Sequence, residues 1–523
     1  MITSFRRMML LFYGGSILFV ALVACVAIYL HISRDNGSPA DPVLSGELAE
    51  RESDLKGLIP SQAAVALFAQ SPQAVFDAWG AISTQLLGED VASAWLSGTF
   101  GDGESLSSIL ARYSVKPDAP IAVMLEFAPV ERQFETHFAV VLRCSDSSGF
   151  VNSAWPMRTS AVTAPRLLAE RDGYALILHG SLACAAWDDW IAISDSTDFV
   201  SDVAEGFLEN AARLDTATMS DETISCFFYP NRVQAVWLPI RAWLRVTWPP
   251  LSSKIAKSLD VLQPAQEDPG PIVSAIRYSD EEMAARVTWS VSDCPRLAAM
   301  LGKLPANETE LLPANPDSVA AGEIVLSGMS ETLFRNWMVQ VAESTHDADV
   351  GDAVSRIANS ISGRVAFDIG TFDAEEYQMR TAWDCDNGED TVSALTSILP
   401  VVPGADATAD TGIVIHTARV IQPVYFAVAQ NRAYLATDLN DIRDMAGARS
   451  SGGIQAAGAY RLRLRVRGAH LAQSLEQTST FESLGLPDSF RSMMSHVAQG
   501  EVVWSTDQSS ESIALRIAFA RPN

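Results

Sequence analysis

Trp190–Ala204 reads WIAISDSTDFVSDVA, and Ala433–Ala446 reads AYLATDLNDIRDMA. Each is a strand of alternating pattern, a polar turn, and a helix opened by a cluster of Asp, Thr or Asn. Aligned on their acids, Asp195 meets Asp438 and Asp198 meets Asp441, both 243 positions apart. A strand, turn and helix stated twice in one chain point to a duplicated unit.

The same order extends in both directions. Each copy opens on a Leu-x-Pro, Leu58-Ile59-Pro60 and then Leu311-Leu312-Pro313, followed by an apolar strand, AAVALFAQ or AGEIVLSG. A helix comes next with one recurrent aromatic pair: Phe76 and Trp79 in SPQAVFDAW, Phe334 and Trp337 in MSETLFRNW, 258 positions apart. Further on, FAVVLRCSD matches MRTAWDCDN, with Cys144 and Cys385 aligned 241 apart. The closing segments VSAIRYSDEEMAARVTWSV and GEVVWSTDQSSESIALRIAF both read as hairpins, and place Ile276 and Trp504 228 apart. Offsets that drift only between 228 and 258 imply one unit with small insertions. Several neighbouring strands are joined by tight turns, so the expected class is α+β: two tandem related units, each an antiparallel or mixed sheet with helices on one face. The expected organisation is an anchor over 1–32, an acidic linker over 33–57, units over 58–302 and 311–523, and a linker over 303–310.

LIPSQAAVALFAQSP, DAPIAVMLEF, WIAISDSTDFV and PVYFAVAQNRAYLATDLNDI together resemble a class of bacterial membrane-anchored proteins, from Leu58 to about Ala520. In those, a short anchor precedes α+β modules that open with a Leu-Pro strand and a helix. The resemblance implies an extracytoplasmic envelope protein and carries over no functional residue.

The N-terminus points the same way. Arg6 and Arg7 precede an apolar run, Met8–Ile32, which would rise about 37 Å as a helix, enough for a hydrocarbon core of about 30 Å. A cleaved signal peptide has an apolar region of only about 7–15 residues, so the length favours an uncleaved anchor. Leu22-Val23-Ala24-Cys25 also reads as a lipobox, which leaves lipidation of Cys25 as the minor reading. Two arginines before the run and an excess of acids after it keep the N-terminus cytoplasmic and send the body across. Single-pass membrane topology and an extracytoplasmic, periplasmic or cell-envelope address follow from either version.

Composition describes a packed globular body, 48% apolar and only 19% charged. A net charge of −26 excludes nucleic acid as a partner, because phosphate binding needs clustered Lys and Arg. The partners to expect are the membrane itself and other envelope proteins. Five cysteines beyond the anchor form no framework of pairs and read as buried thiols. No motif asks for a cofactor or a metal. The seven histidines lack helical metal-ligand spacing, His179 and His416 read as counterparts at strand ends, and the acidic stretches HDADVGD and DCDNGED read as solvated turns. Gly98–Leu110 is a Gly-rich loop before a helix, without a phosphate-binding lysine.

One segment departs in kind between the copies. In VQAVWLPIRAWLRVTWPPL, Trp237, Ile240, Trp243 and Trp248 recur at helical spacing opposite Arg241 and Arg245, where the second copy has HLAQSLEQTST. Such a face either packs as core, lies in a membrane interface or lines a ligand groove. The expected role is therefore binding or structural, with a carrier of a lipid or other apolar ligand as the first alternative. An enzyme whose site converges from distant segments is the second.

Overall fold

A computed structural model describes the chain from Leu55 to Phe519, with short interruptions and the longer stretches 153–164, 218–223, 234–269, 291–310, 328–334, 336–347, 448–459 and 478–494 left out. The described residues divide into two compact units, those up to Ser290 in the first and those from Leu311 in the second. The anchor segment, the tryptophan-rich segment and the linker over 303–310 lie outside the described residues. Among the described residues, no helix is long and apolar enough to cross a membrane.

The first unit runs β1 (Ala63–Ala69), α1 (Pro72–Leu87), α2 (Val91–Phe100), α3 (Leu106–Arg112), β2 (Ile121–Val130), β3 (Gln133–Arg143) and α4 (Ser147–Asn152). It continues through β4 (Arg166–Arg171), β5 (Tyr174–His179), β6 (Leu182–Trp187), β7 (Trp190–Ser194), α5 (Thr197–Ala217), β8 (Ile224–Phe228), α6 (Pro230–Val233), β9 (Ile272–Tyr278) and β10 (Glu282–Ser290). All the described pairings are antiparallel, in the order β10-β9-β8-β1-β2-β3-β7-β6-β5-β4. On one face α5 buries Phe199, Val200, Val203, Ala204 and Phe207 against a floor of small side chains, among them Ala66, Ala122, Ala139, Ala183 and Ala192. Alanines there let the helix come close, and the Phe207 ring is gripped between Trp187 (6.3 Å) and Trp190 (6.1 Å). The opposite face is covered by α1, α3 and α4, over Val65, Leu125, Phe138, Cys184, Ile191 and Ile193.

The second unit runs β11 (Ala320–Val325), α7 (Ala348–Ser360), β12 (Ile361–Phe372), β13 (Tyr377–Cys385), α8 (Gly388–Ile398), β14 (Ala407–Thr408) and β15 (Val414–Arg419). Then follow β16 (Pro423–Ala429), β17 (Arg432–Ala436), α9 (Leu439–Gly447), β18 (Tyr460–Val466), α10 (Gly468–Gln477), β19 (Val497–Thr506) and β20 (Ser510–Phe519). Its antiparallel order is β20-β19-β18-β11-β12-β13-β17-β16-β15-β14. Adding ten to each strand label of the first unit reproduces the second. The Leu-x-Pro openings serve the same purpose in both: Leu58 and Ile59 join the cluster under α5, and Leu311 and Leu312 join the one under α9.

Four details depart from the reading of the sequence. The sheets carry helices on both faces, since α9 packs over Tyr434 and Ala436 while α7 and α8 cover Trp383, Phe426 and Ala433 on the other side. The body begins before Leu58, because Leu55 is already 2% exposed and belongs to the core. The matched acids are one position out of step. Phe138 N–H donates to Asp195 Oδ1 (3.1 Å), and in the second unit Met379 N–H donates to Thr437 Oγ1 (3.1 Å). The two amides are 241 apart, as the cysteines are, so Asp195 corresponds to Thr437 and Asp198 to Asn440. The buried faces agree, with Val200 and Val203 answered by Ile442 and Met445. Last, Cα pairing places Ile177 opposite Cys184 and His416 opposite Phe426, so His416 corresponds to Ile177, and His179 corresponds to Ala418.

Candidate functional site

Trp237, Ile240, Trp243, Trp248 and Cys25 all fall outside the described residues. Two other features stand out within them.

The first is a row of buried charge in the second unit. Glu323, Asp368 and Arg432 are 6%, 3% and 7% exposed, on the sheet face under α9. Asp368 receives the Ser318 hydroxyl on Oδ1 (2.6 Å) and the Arg380 guanidinium on Oδ2. Arg380 also lies 3.9 Å from Asp441, at the start of α9. Alongside, Arg364 spans Glu323 (3.4 Å) and Asp384 (3.2 Å), and Arg432 Nε donates to the other oxygen of Asp384 (3.0 Å). Glu323 further accepts the Leu311 N–H (3.1 Å), which ties the Leu-x-Pro opening to the row. The first carboxylate of DCDNGED, Asp384, thus sits between two arginines, while Asn387 caps α8 by accepting from Asp390 N–H (3.1 Å).

The first unit fills five of these places with hydrocarbon, while the place of Asp384 is held by Arg143, paired there with Asp189 (2.7 Å). Phe68 pairs with Ala122 as Glu323 pairs with Ala366, so Phe68 stands where Glu323 does. By the same registers Met124 replaces Asp368, Ala139 replaces Arg380, Trp190 replaces Arg432 and Phe199 replaces Asp441. All five belong to the cluster under α5. A buried ion pair gains little over well-packed apolar groups, because desolvation opposes the Coulomb attraction. What it adds is register, since a shifted strand would leave each carboxylate without the guanidinium placed beside it. Burial raises the Asp441 carboxyl and Arg380 pulls it the other way. A second polar cluster marks the first unit: His137 Nδ1 lies 3.5 Å from Asp195 and Nε2 3.9 Å from Glu135, with Glu126 paired across the strand. Burial raises the Glu126 carboxyl, partly offset by His137. The second unit has Gly370, Gln378 and Thr437 at the places of Glu126, His137 and Asp195. Among the described residues, no group of three or more His, Cys, Asp or Glu is arranged to hold a metal ion.

The second feature is an aromatic strip on α1 and α2. Phe76 meets Trp79 edge-on (6.4 Å), Trp79 meets Trp95 (5.9 Å), and Trp95 meets Phe100 (6.2 Å). Trp79 is 42% exposed, among the largest apolar exposures described. The helices approach closely at Gly80, where a Cβ would lie 3.5 Å from the Ala92 Cβ. Asp90 caps α2 by accepting from Ser93 N–H (2.9 Å), and Val91 N–H donates to Ser83 Oγ (3.0 Å). Phe76 and Trp79 were legible as a recurrent pair. Trp95 and Phe100 were missed, although the scarcity of charge around them was a readable signal. Phe334 and Trp337 lie outside the described residues.

Neither a protein-family model nor a curated protein matches the chain. Among solved structures, crystal forms I, III and IV of TP0453 align with 45% of this chain and with 77%, 78% and 79% of their own length. Their TM-scores are 0.22, 0.23 and 0.23, at 10%, 9% and 10% identity. Likeness at that level assigns neither fold nor function.

Proposed function

We propose that the chain is a single-pass membrane protein of the cell envelope. Its N-terminus is cytoplasmic, Met8–Ile32 is its anchor, and its body is an extracytoplasmic scaffold that binds or organises a partner. The body is a duplication of one ancestral α+β unit. The observation that carries the scaffold reading is the repeated ten-strand order, kept while five buried charged places of one interior are apolar in the other. Two interiors that diverge while the strand order persists are what selection on architecture leaves behind. The charged residues of the buried row are engaged with one another, as a register device requires.

The anchored reading is supported by Arg6 and Arg7 before the apolar run and the acidic stretch after it. Its test is fractionation of the full chain beside a chain lacking Met8–Ile32. The full chain is expected in the membrane fraction after salt and alkaline washes, and the shortened chain in the soluble fraction with its hydrogen-exchange protection intact. A full chain released by alkaline washing would overturn the proposal.

A further inference from the structure

We infer that the aromatic strip of α1 and α2 is a second, reversible membrane contact, seated on the zwitterionic bilayer interface that holds the anchor. This inference rests on the anchored reading above.

Three observations bear on it. The first is charge. The two helices span 16 and 10 residues and contain one charged residue, Asp77, in a chain that is 19% charged. At the average rate those 26 positions would carry about five. Glu89 and Asp90 stand between them in the sequence, outside the two helices, whose faces expose apolar surface at little loss to a lipid interface. With no Lys or Arg in either helix, the strip has nothing to draw it to anionic headgroups. The net charge of −26 adds repulsion from such lipids, so the occupant is a zwitterionic surface.

The second is side-chain type. Trp and Phe are suited to the headgroup boundary, where the ring is apolar and the indole N–H remains near water. Four such rings follow one another in edge-to-face and tilted contacts along one strip, and Trp79 stands out of it, 42% exposed. Their mutual contacts hold them as a rigid surface, so little side-chain entropy is lost on docking.

The third is reach. Leu55, the first described residue and a member of the core, follows Ile32 by 23 positions (55 − 32). Fully extended, that stretch spans at most about 80 Å. A compact unit of this length has a radius of gyration of about 18 Å, so the tether lets any face of the unit reach the bilayer. Held so close, the strip meets lipid at high effective concentration, and a weak contact suffices.

The experiment uses the full chain with Cys25 and Cys294 replaced by serine, reconstituted into phosphatidylcholine vesicles. An environment-sensitive fluorophore is placed on Trp79→Cys, or on Leu167→Cys as a control at β4, where the leucine is 54% exposed. The remaining cysteines are buried and do not compete for label. Nitroxide-bearing lipid is expected to quench the probe at 79 at least threefold more than the probe at 167. Part of that quenching should be lost when phosphatidylglycerol replaces phosphatidylcholine. Equal quenching at both positions, or none at either in vesicle-bound chain, overturns the strip and leaves the anchor standing. Chain that fails to cofractionate with the vesicles overturns both.

Discussion

Removing one partner of the Asp368–Arg380–Asp441 group should cost more than removing all three. Asp368 is 3% exposed, with its oxygens taken by Ser318 and Arg380. Stripping one partner from a buried pair costs about 3–5 kcal/mol, because the other is left as an uncompensated charge. The surroundings order the two single variants. After Asp368→Ala, Arg380 still has Asp441 at 3.9 Å, so the loss should fall near the lower end, about 3 kcal/mol. After Arg380→Ala, Asp368 retains the Ser318 hydroxyl but no cation on its second oxygen, and the loss should approach about 5 kcal/mol. The first unit shows what a self-consistent apolar version looks like: Met124, Ala139 and Phe199 at the matching places. Installing that set as Asp368→Met, Arg380→Ala and Asp441→Phe should cost less than either single change, with outcomes from neutral to a gain of about 4 kcal/mol. Native-state hydrogen exchange at the amides of β12 and β13 reads the opening free energy of this unit alone, whatever the other unit does. A triple variant as damaged as the sum of its single changes would show that the row is not interchangeable with a hydrocarbon core.

Further outcomes follow from the same structure. Asp189 receives Lys116 Nζ (2.9 Å) and Arg143 Nε (2.7 Å); burial pushes its carboxyl up, and those two hydrogen bonds more than offset this, leaving it below the usual carboxylate range. Its contribution is therefore present above about pH 4 and lost as the pH falls through the lowered value, and Asp189→Asn should remove about 0.5–1 kcal/mol at neutral pH and little at pH 2, read by urea titration at both. Burial pushes the thiols of Cys144, Cys184 and Cys226 up to about 12, so at pH 8 a maleimide should label them about a thousandfold slower in the native chain than in urea. Peptide mapping by mass spectrometry separates these sites, and rapid native labelling would place them outside the core. Phe207→Ala should cost about 3–5 kcal/mol by exchange at β6 and β7, since it empties the space between Trp187 and Trp190.

Much of the architecture was legible because strand, turn and cap signals are local. The Cys144 and Cys385 match was right to the residue: each amide donates to the turn carbonyl preceding the next strand, Asp189 (2.6 Å) or Asn431 (2.8 Å). Ile276 and Trp504 likewise occupy matching pairs, opposite Ile224 and Leu462. The one-position slip at Asp195 arose from aligning identical letters, whereas what is retained is an oxygen that accepts from β3 or β13, Asp in one unit and Thr in the other. Helices on both faces were foreshadowed by strands such as LACAAW and WIAIS, whose apolar residues occupy both parities and leave no polar side for water. The buried row was not legible, because Ser318, Asp368, Arg380 and Asp441 come from separate elements and converge only through strand pairing. A lone Asp inside a strand reads as a solvated residue until its partner across the sheet is known.

The most direct test of the account is the side of the membrane on which the body folds. Asn523 would carry in turn alkaline phosphatase, which matures only outside the cytoplasm, and a fluorescent protein that matures only within it. The account expects phosphatase activity and a dark fluorescent fusion, with both fusions in the membrane fraction. Fluorescence without phosphatase activity would contradict it.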